Sequence, residues 1–141
     1  MKITTKGKYG LGALVEIAAR NEKSASIKSI AHKQGISAAY LEQIFALLKR
    51  ADILRSERGV KGGFALSRPA KDITAAEIIN VLEGGLSPIE CLEDGNCGKE
   101  TEICEVCNTS EVWKRLYLGI KDALTNITLE ELALKNKEAV L

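Results

Sequence analysis

The sequence predicts a mainly helical chain that carries one small β-hairpin and ends in a long helix. Three observations predict it. Two short helical stretches meet across a turn marked by Gly35, the apolar period changes from helical to alternating after Asp52 around a glycine-rich tip, and apolar residues run from Trp113 to Ile127 at heptad spacing. With 141 residues and 45 % hydrophobic content the chain can bury a core of its own.

The first helix is predicted from Leu11, Leu14, Val15 and Ala18 at i, i+3, i+4 and i+7, after the basic run Thr4-Thr5-Lys6-Gly7-Lys8-Tyr9. A short second helix begins near Ser26, carries Ile27, Ile30 and Ala31, and stops at Gly35, where a left-handed residue is expected. Ser37 fits the N-cap of a third helix whose Leu41, Ile44, Phe45 and Leu48 mark one apolar face. Leu54 and Ser56, the turn Arg58-Gly59-Val60-Lys61-Gly62-Gly63, then Phe64 and Leu66 read as a hairpin. Thr74 and Glu77 make a capping box for a fourth helix that ends at Gly84-Gly85. A loop of some twenty residues follows and holds every cysteine of the chain. From Ser110 the seam Trp113, Leu116, Ile120, Ala123 and Ile127 predicts a long helix that packs on a second copy or on the chain's own core. Thr128 and Glu131 cap a short last helix through Leu132, and Lys135 to Leu141 is expected to fray.

Helix-turn-helix followed by hairpin is the order of a winged helix-turn-helix domain. The expected division is residues 1–85 for that domain, 86–108 for a cysteine-rich loop that binds a metal centre, and 109–141 for a dimerisation helix and tail. Charge supports a polyanionic partner for the first part. Residues 1–72 hold 14 Lys and Arg against 6 Asp and Glu, whereas residues 73–141 hold 6 against 13. A solvated basic face is the plain alternative. If the third helix enters a major groove, Ser37, Tyr40 and Gln43 at its start face base edges or phosphates: Gln43 can pair with an adenine edge, while Ser37 and Tyr40 hold phosphates and set register. Arg58 and Lys61 flank the hairpin tip, from which Arg58 can enter a narrow minor groove. No stretch is long and apolar enough to span a bilayer, and the N-terminus lacks the pattern of a secretory signal, so the cytoplasm is the expected compartment.

In that reducing compartment Cys91, Cys97, Cys104 and Cys107 point to metal or redox chemistry rather than disulfides. Thiolates are soft, anionic donors for iron and zinc, and a loop with Gly95 and Gly98 can wrap four of them around one centre. The C-x(5)-C-x(6)-C-x(2)-C spacing is not the paired C-x(2)-C of a zinc ribbon, although a structural zinc site stays open. A dithiol pair at Cys104 and Cys107 is disfavoured, because no strand precedes it and acidic neighbours are expected to raise the thiol pKa values. Reduced cysteines without a ligand are the plain alternative. His32, the sole histidine, reads as a solvated side chain.

The chain resembles the Rrf-two family of winged-helix repressors over nearly its whole length. The resemblance lies in Thr4-Thr5-Lys6-Gly7-Lys8-Tyr9-Gly10-Leu11, in Ile36-Ser37-Ala38-Ala39-Tyr40-Leu41-Glu42-Gln43-Ile44-Phe45, in Arg58-Gly59-Val60-Lys61-Gly62-Gly63-Phe64-Ala65-Leu66 and in the clustered cysteines. It implies a homodimer joined through the long helix, a palindromic operator, and an iron-sulfur cluster whose state alters DNA affinity. By family position Ser37, Tyr40, Gln43 and Arg58 contact DNA, Lys6 and Tyr9 touch its backbone, and Glu42 tunes operator choice. In the family's iron-sulfur regulators a histidine takes the place of Cys107, and in its nitric-oxide sensors an aspartate takes that of Lys8. An all-cysteine shell suits either cluster type, with [2Fe-2S] favoured over [4Fe-4S].

The resulting reading is a dimeric, non-enzymatic repressor-type regulator that binds double-stranded DNA under the control of an iron-sulfur cluster on Cys91, Cys97, Cys104 and Cys107. Its rivals are a DNA-binding protein with structural zinc, and a thiol oxidoreductase or interaction module that binds a metabolic enzyme. No catalytic triad, phosphate loop or hydrolase carboxylate pair occurs in the sequence.

Overall fold

A computed structural model describes residues 2–20, 23–59, 62–92 and 107–140. Their order is α1 (Thr5–Ala19), α2 (Ile27–Gln34), α3 (Ala38–Arg50), β1 (Leu54–Glu57), β2 (Gly63–Leu66), α4 (Ala75–Glu83), α5 (Ser110–Thr125) and α6 (Leu129–Val140). Single 3-10 turns lie at Ala70–Asp72 and Glu90–Leu92. The fold is mainly helical with one two-stranded antiparallel hairpin, as expected.

Helix α1 is the hub, packed against α2, α3, α4 and α6. Neighbours on several sides bury more of it than a simple amphipathic stripe requires. Gly10, Ala13, Leu14 and Ile17 are buried, while Leu11, Val15 and Ala18 of the predicted stripe are only partly so. Buried Glu16 accepts hydrogen bonds from Arg20 at 3.1 Å and from Lys33 of α2 at 3.0 Å. Two cations thus offset the cost of burying its charge, and α2 is fixed to α1.

Local chemistry sets the turn between α2 and α3. Gly35 adopts φ 72 and donates its N–H back to the end of α2, and the N–H of Ile36 reaches the Ala31 carbonyl at 3.1 Å. Only glycine takes that conformation without a Cβ penalty. Ser37 Oγ then accepts the N–H of Tyr40 at 3.1 Å and caps α3. Leu41, Ile44, Phe45 and Leu48 face the core, where Phe45 meets Phe64 of the hairpin edge-on, centroids 4.9 Å apart.

The hairpin pairs Leu54 with Leu66 and Glu57 with Gly63. A further bridge joins Phe64 to Ala25, each N–H donating to the other's carbonyl at 2.9 Å. A Cβ on Gly63 would stand 2.4 Å from the Ala25 carbonyl oxygen, so glycine permits this contact. The wing is thereby held to the segment that starts α2.

Thr74 Oγ1 accepts the N–H of Glu77 at 3.2 Å, whereas the Glu77 carboxylate pairs with Arg68. Gly84, at φ 74, ends α4. The last helix departs from expectation. In place of a short helix and frayed tail, α6 continues to Val140, because Leu129 and Ala133 are buried against the hub. Two bonds at the start of α4 fix its entry: Ala75 N–H to the Ile127 carbonyl and Leu129 N–H to the Ile73 carbonyl, each 2.8 Å. Helix α5 by contrast has no fully buried residue. No helix among the described residues is long and apolar enough to cross a membrane.

Candidate nucleic-acid interface and cysteine segment

The face of α3 opposite the core carries Ala39, Gln43, Ala46 and Arg50, all exposed and spaced 4, 3 and 4. Two alanines beside Gln43 keep this stripe low, so a groove floor can approach the helix and meet the Gln43 amide. Arg50 was not predicted as a site residue; its spacing of seven from Gln43 was the available signal. Glu42 is exposed on the flank of the stripe.

Tyr40 is half-buried, with its hydroxyl 2.9 Å from Thr5 Oγ1 and its ring edge-on to Tyr9 at 6.5 Å. Lys8 Nζ lies 5.5 Å from the centroid of the Tyr9 ring, within cation–π range. Lys6 is exposed in the first turn of α1. The fold therefore brings Lys6, Tyr9, Ser37 and Tyr40 to one edge, where the start of α1 meets the start of α3. Thr5, which sequence reasoning passed over, links the two helices. The Ser37 hydroxyl oxygen is engaged as the α3 cap, which leaves its proton for an outside acceptor. Arg58 is exposed at the end of β1, where the hairpin tip begins. Lys61 lies outside the described residues.

Of the cysteines, Cys91 and Cys107 are described, and Cys97 and Cys104 are not. Cys91 is exposed on the 3-10 turn Glu90–Leu92, which is anchored by buried Leu92. Cys107 lies just before α5, with Sγ 3.5 Å from Thr109 Oγ1. The Thr109 oxygen accepts the indole N–H of Trp113 at 3.1 Å, so its own proton is available to the sulfur. Hydrogen bonds from the Thr109 hydroxyl and then from its backbone hold the Cys107 thiol below its ordinary pKa, with Lys114 adding a smaller electrostatic pull. The direction is opposite to the rise expected from acidic neighbours: among the described residues, hydrogen bonds from Thr109 outweigh the raising effect of desolvation. Two accessible thiols at the two ends of the segment, one biased toward thiolate, suit a soft metal centre.

Residues 3–135 match the family model Rrf2, described as "Iron-dependent Transcriptional regulator". The chain belongs to the Rrf2 family. It is 42 % identical over 134 residues to the HTH-type transcriptional regulator CymR of Bacillus subtilis, covering 94 % of this chain and 90 % of that protein. The structure of CymR, the global cysteine regulator of B. subtilis, superposes with a TM-score of 0.76 at 38 % identity, over 96 % of this chain and 98 % of that one. Identity to the HTH-type transcriptional regulator IscR of Vibrio vulnificus is 36 % over 138 residues, covering 97 % of this chain and 80 % of the relative. The structure of T. potens IscR gives a TM-score of 0.78 at 34 % identity, over all of this chain and 92 % of that one. This Rrf2 chain is thus a DNA-binding transcription regulator with the winged helix-turn-helix fold of those relatives, and not an enzyme.

Proposed function

We propose that this Rrf2 regulator acts in the cytoplasm as a homodimeric repressor on a palindromic operator, and that an iron-sulfur cluster on Cys91, Cys97, Cys104 and Cys107 sets its affinity. The observation that carries the reading is the donor set: four thiols within one short segment of a chain whose family model is described as iron-dependent. The lowered Cys107 pKa supports it, since the thiolate is the ligating form. Likeness to proteins named IscR supports the regulatory class.

Each residue has a stated task. Gln43 reads a base edge, Arg58 and Lys61 of the wing enter or flank a minor groove, and Lys6, Tyr9, Ser37 and Tyr40 hold phosphates that set register. Glu42, on the flank of the same stripe, biases operator choice. The cluster, [2Fe-2S] in preference to [4Fe-4S], supplies a redox- and ligand-sensitive charge within residues 86–108. Thr109 and Trp113 orient Cys107 from outside the ligand shell. Control of DNA binding then requires only that the two states of that segment differ in their affinity for the operator.

Dimerisation is supported by α5, where Val112 and Leu116 are 57 % and 38 % exposed although the helix is apolar along that side. An apolar helix face left in solvent at this spacing fits a second copy.

The test is visible absorption together with iron, zinc and acid-labile sulfide analysis of protein purified without oxygen. Coloured protein with stoichiometric iron and sulfide is expected. Colourless protein loaded with zinc would replace the sensor by a structural zinc site, leaving a DNA-binding regulator without this switch.

A further inference from the structure

Glu83 ends α4, and its carboxylate reaches the start of α1. Its Oε1 accepts the backbone N–H of Thr4 at 3.0 Å and the Thr4 hydroxyl at 2.8 Å, across 79 positions of sequence. The space for that oxygen exists because residue 7 is glycine: a Cβ there would stand 2.2 Å from it. The local cap is weak, with Thr4 Oγ1 3.5 Å from the Gly7 N–H, so the distant carboxylate supplies an acceptor at the helix start. Negative charge at a helix N-terminus is also favourable in itself.

The same turn of α1 is tied on its other side to the recognition helix through Thr5 and Tyr40, and it carries exposed Lys6. Beyond Glu83 the chain turns through Gly84 and runs into the segment that bears Cys91. Glu83 also lines a groove with Ser87 and Pro88 of that segment. One carboxylate therefore stands between the cysteine segment and the edge where α1 and α3 come together.

We propose that Glu83 is a positioning residue of the DNA interface. It holds the first turn of α1 at the angle at which Lys6 and α3 meet the same duplex, and it links residues 86–92 to that turn. The proposal rests on the DNA-binding part of the reading above and is independent of which metal group the cysteines hold.

The sign of the effect separates this role from a bystander's. A carboxylate beside a phosphate-binding edge repels DNA, so removing a bystander raises affinity or leaves it unchanged, whereas removing a positioning group lowers it. Full-length protein is titrated over a range of salt with the duplex that wild type enriches from a random-sequence pool. Glu83→Ala is expected to weaken binding roughly threefold to tenfold and to make the salt slope shallower by about one per protomer, as Lys6→Ala does. Glu83→Gln, whose amide oxygen can accept both Thr4 bonds, recovers most of the affinity. The double variant Glu83→Ala with Lys6→Ala binds no worse than Lys6→Ala alone. Equal or tighter binding by Glu83→Ala, or losses that multiply in the double variant, overturns the proposal.

If Glu83→Ala does not fold, Gly7→Ala carries the test, since its methyl group displaces the carboxylate without removing charge. The same loss is expected, and unchanged affinity overturns the assignment. By linkage, duplex binding alters hydrogen exchange of the 86–92 amides in wild type and not in Glu83→Ala; an equal response in both refutes the link. Wild type that enriches no duplex sinks the DNA-binding reading itself, while wild type that binds beside an indifferent Glu83→Ala sinks only the role of Glu83.

Discussion

The Cys107 sulfur ends a directed chain of hydrogen bonds. The Trp113 indole can only donate, so Thr109 accepts from it, and the Thr109 hydroxyl proton stays available to the sulfur. Thr109→Val keeps the shape and removes this donor, the largest of the influences that lower the Cys107 pKa. The alkylation rate of Cys107 in metal-free protein, followed against pH by mass spectrometry, is expected to rise at a higher pH in the variant than in wild type. The sign follows from the thiolate being the nucleophile: without the donor, less of it exists at a given pH. An unmoved profile would show that the backbone bonds alone set the thiol. Ser37 presents a different case, because one oxygen serves both the α3 cap and the proposed phosphate contact. Ser37→Ala should therefore lose about 1 kcal/mol of stability in urea denaturation as well as DNA affinity. A loss of affinity without any loss of stability would mean that the cap is replaced by solvent.

Elements that local chemistry dictates were legible in the sequence. Ser26, Ser37, Thr74 and Thr128 each accept the N–H of the third residue on, so four helix starts follow from residues adjacent in the chain. Gly35 and Gly84, both left-handed, mark two helix ends in the same way. What the sequence concealed depends on distant partners. Helix α6 runs past Leu132 because α1 buries Leu129 and Ala133, and the stripe on α1 shifts because four helices surround it. The Ala25–Phe64 bridge is a single pairing with no periodicity to announce it, yet it ties the wing to the segment before α2. Gly63→Ala tests that bridge. The contact is with backbone, which cannot swing aside, so a loss of about 1–3 kcal/mol is expected in urea denaturation. Wild-type stability would show that the strand and the Ala25 segment can separate without cost.

At the scale of the molecule, the basic half carries the proposed groove-facing surface and the acidic half carries the cysteine segment. The candidate site was legible as residue types: Gln43 on a recognition helix, basic residues at a hairpin tip, thiols in a loop. Its supports, Thr5, Thr109 and Glu83, were not, because each acts through a partner that only the fold brings near. The long helix shows the same limit. Its heptad seam predicted burial without naming the partner, and the structure divides it: Ile120 and Ala123 line a groove beside Ile79 of α4, whereas Leu116 faces outward, as does Val112 one turn before it outside the seam. That division allows the proposed dimer to be tested without disturbing the protomer. Leu116→Glu places a charge at a side chain already 38 % exposed, so the winged domain should keep its circular dichroism and thermal transition. A carboxylate in an apolar helix-helix seam costs several kcal/mol unless it is paired, enough to dissociate a moderate dimer. Sedimentation should then report a monomer, and affinity for the palindrome should fall toward that for a half-site, since two recognition helices no longer bind as one unit. A variant that stays dimeric and binds the palindrome as wild type does would mean that the copies meet through another face, and that the outward residues of α5 serve some other contact.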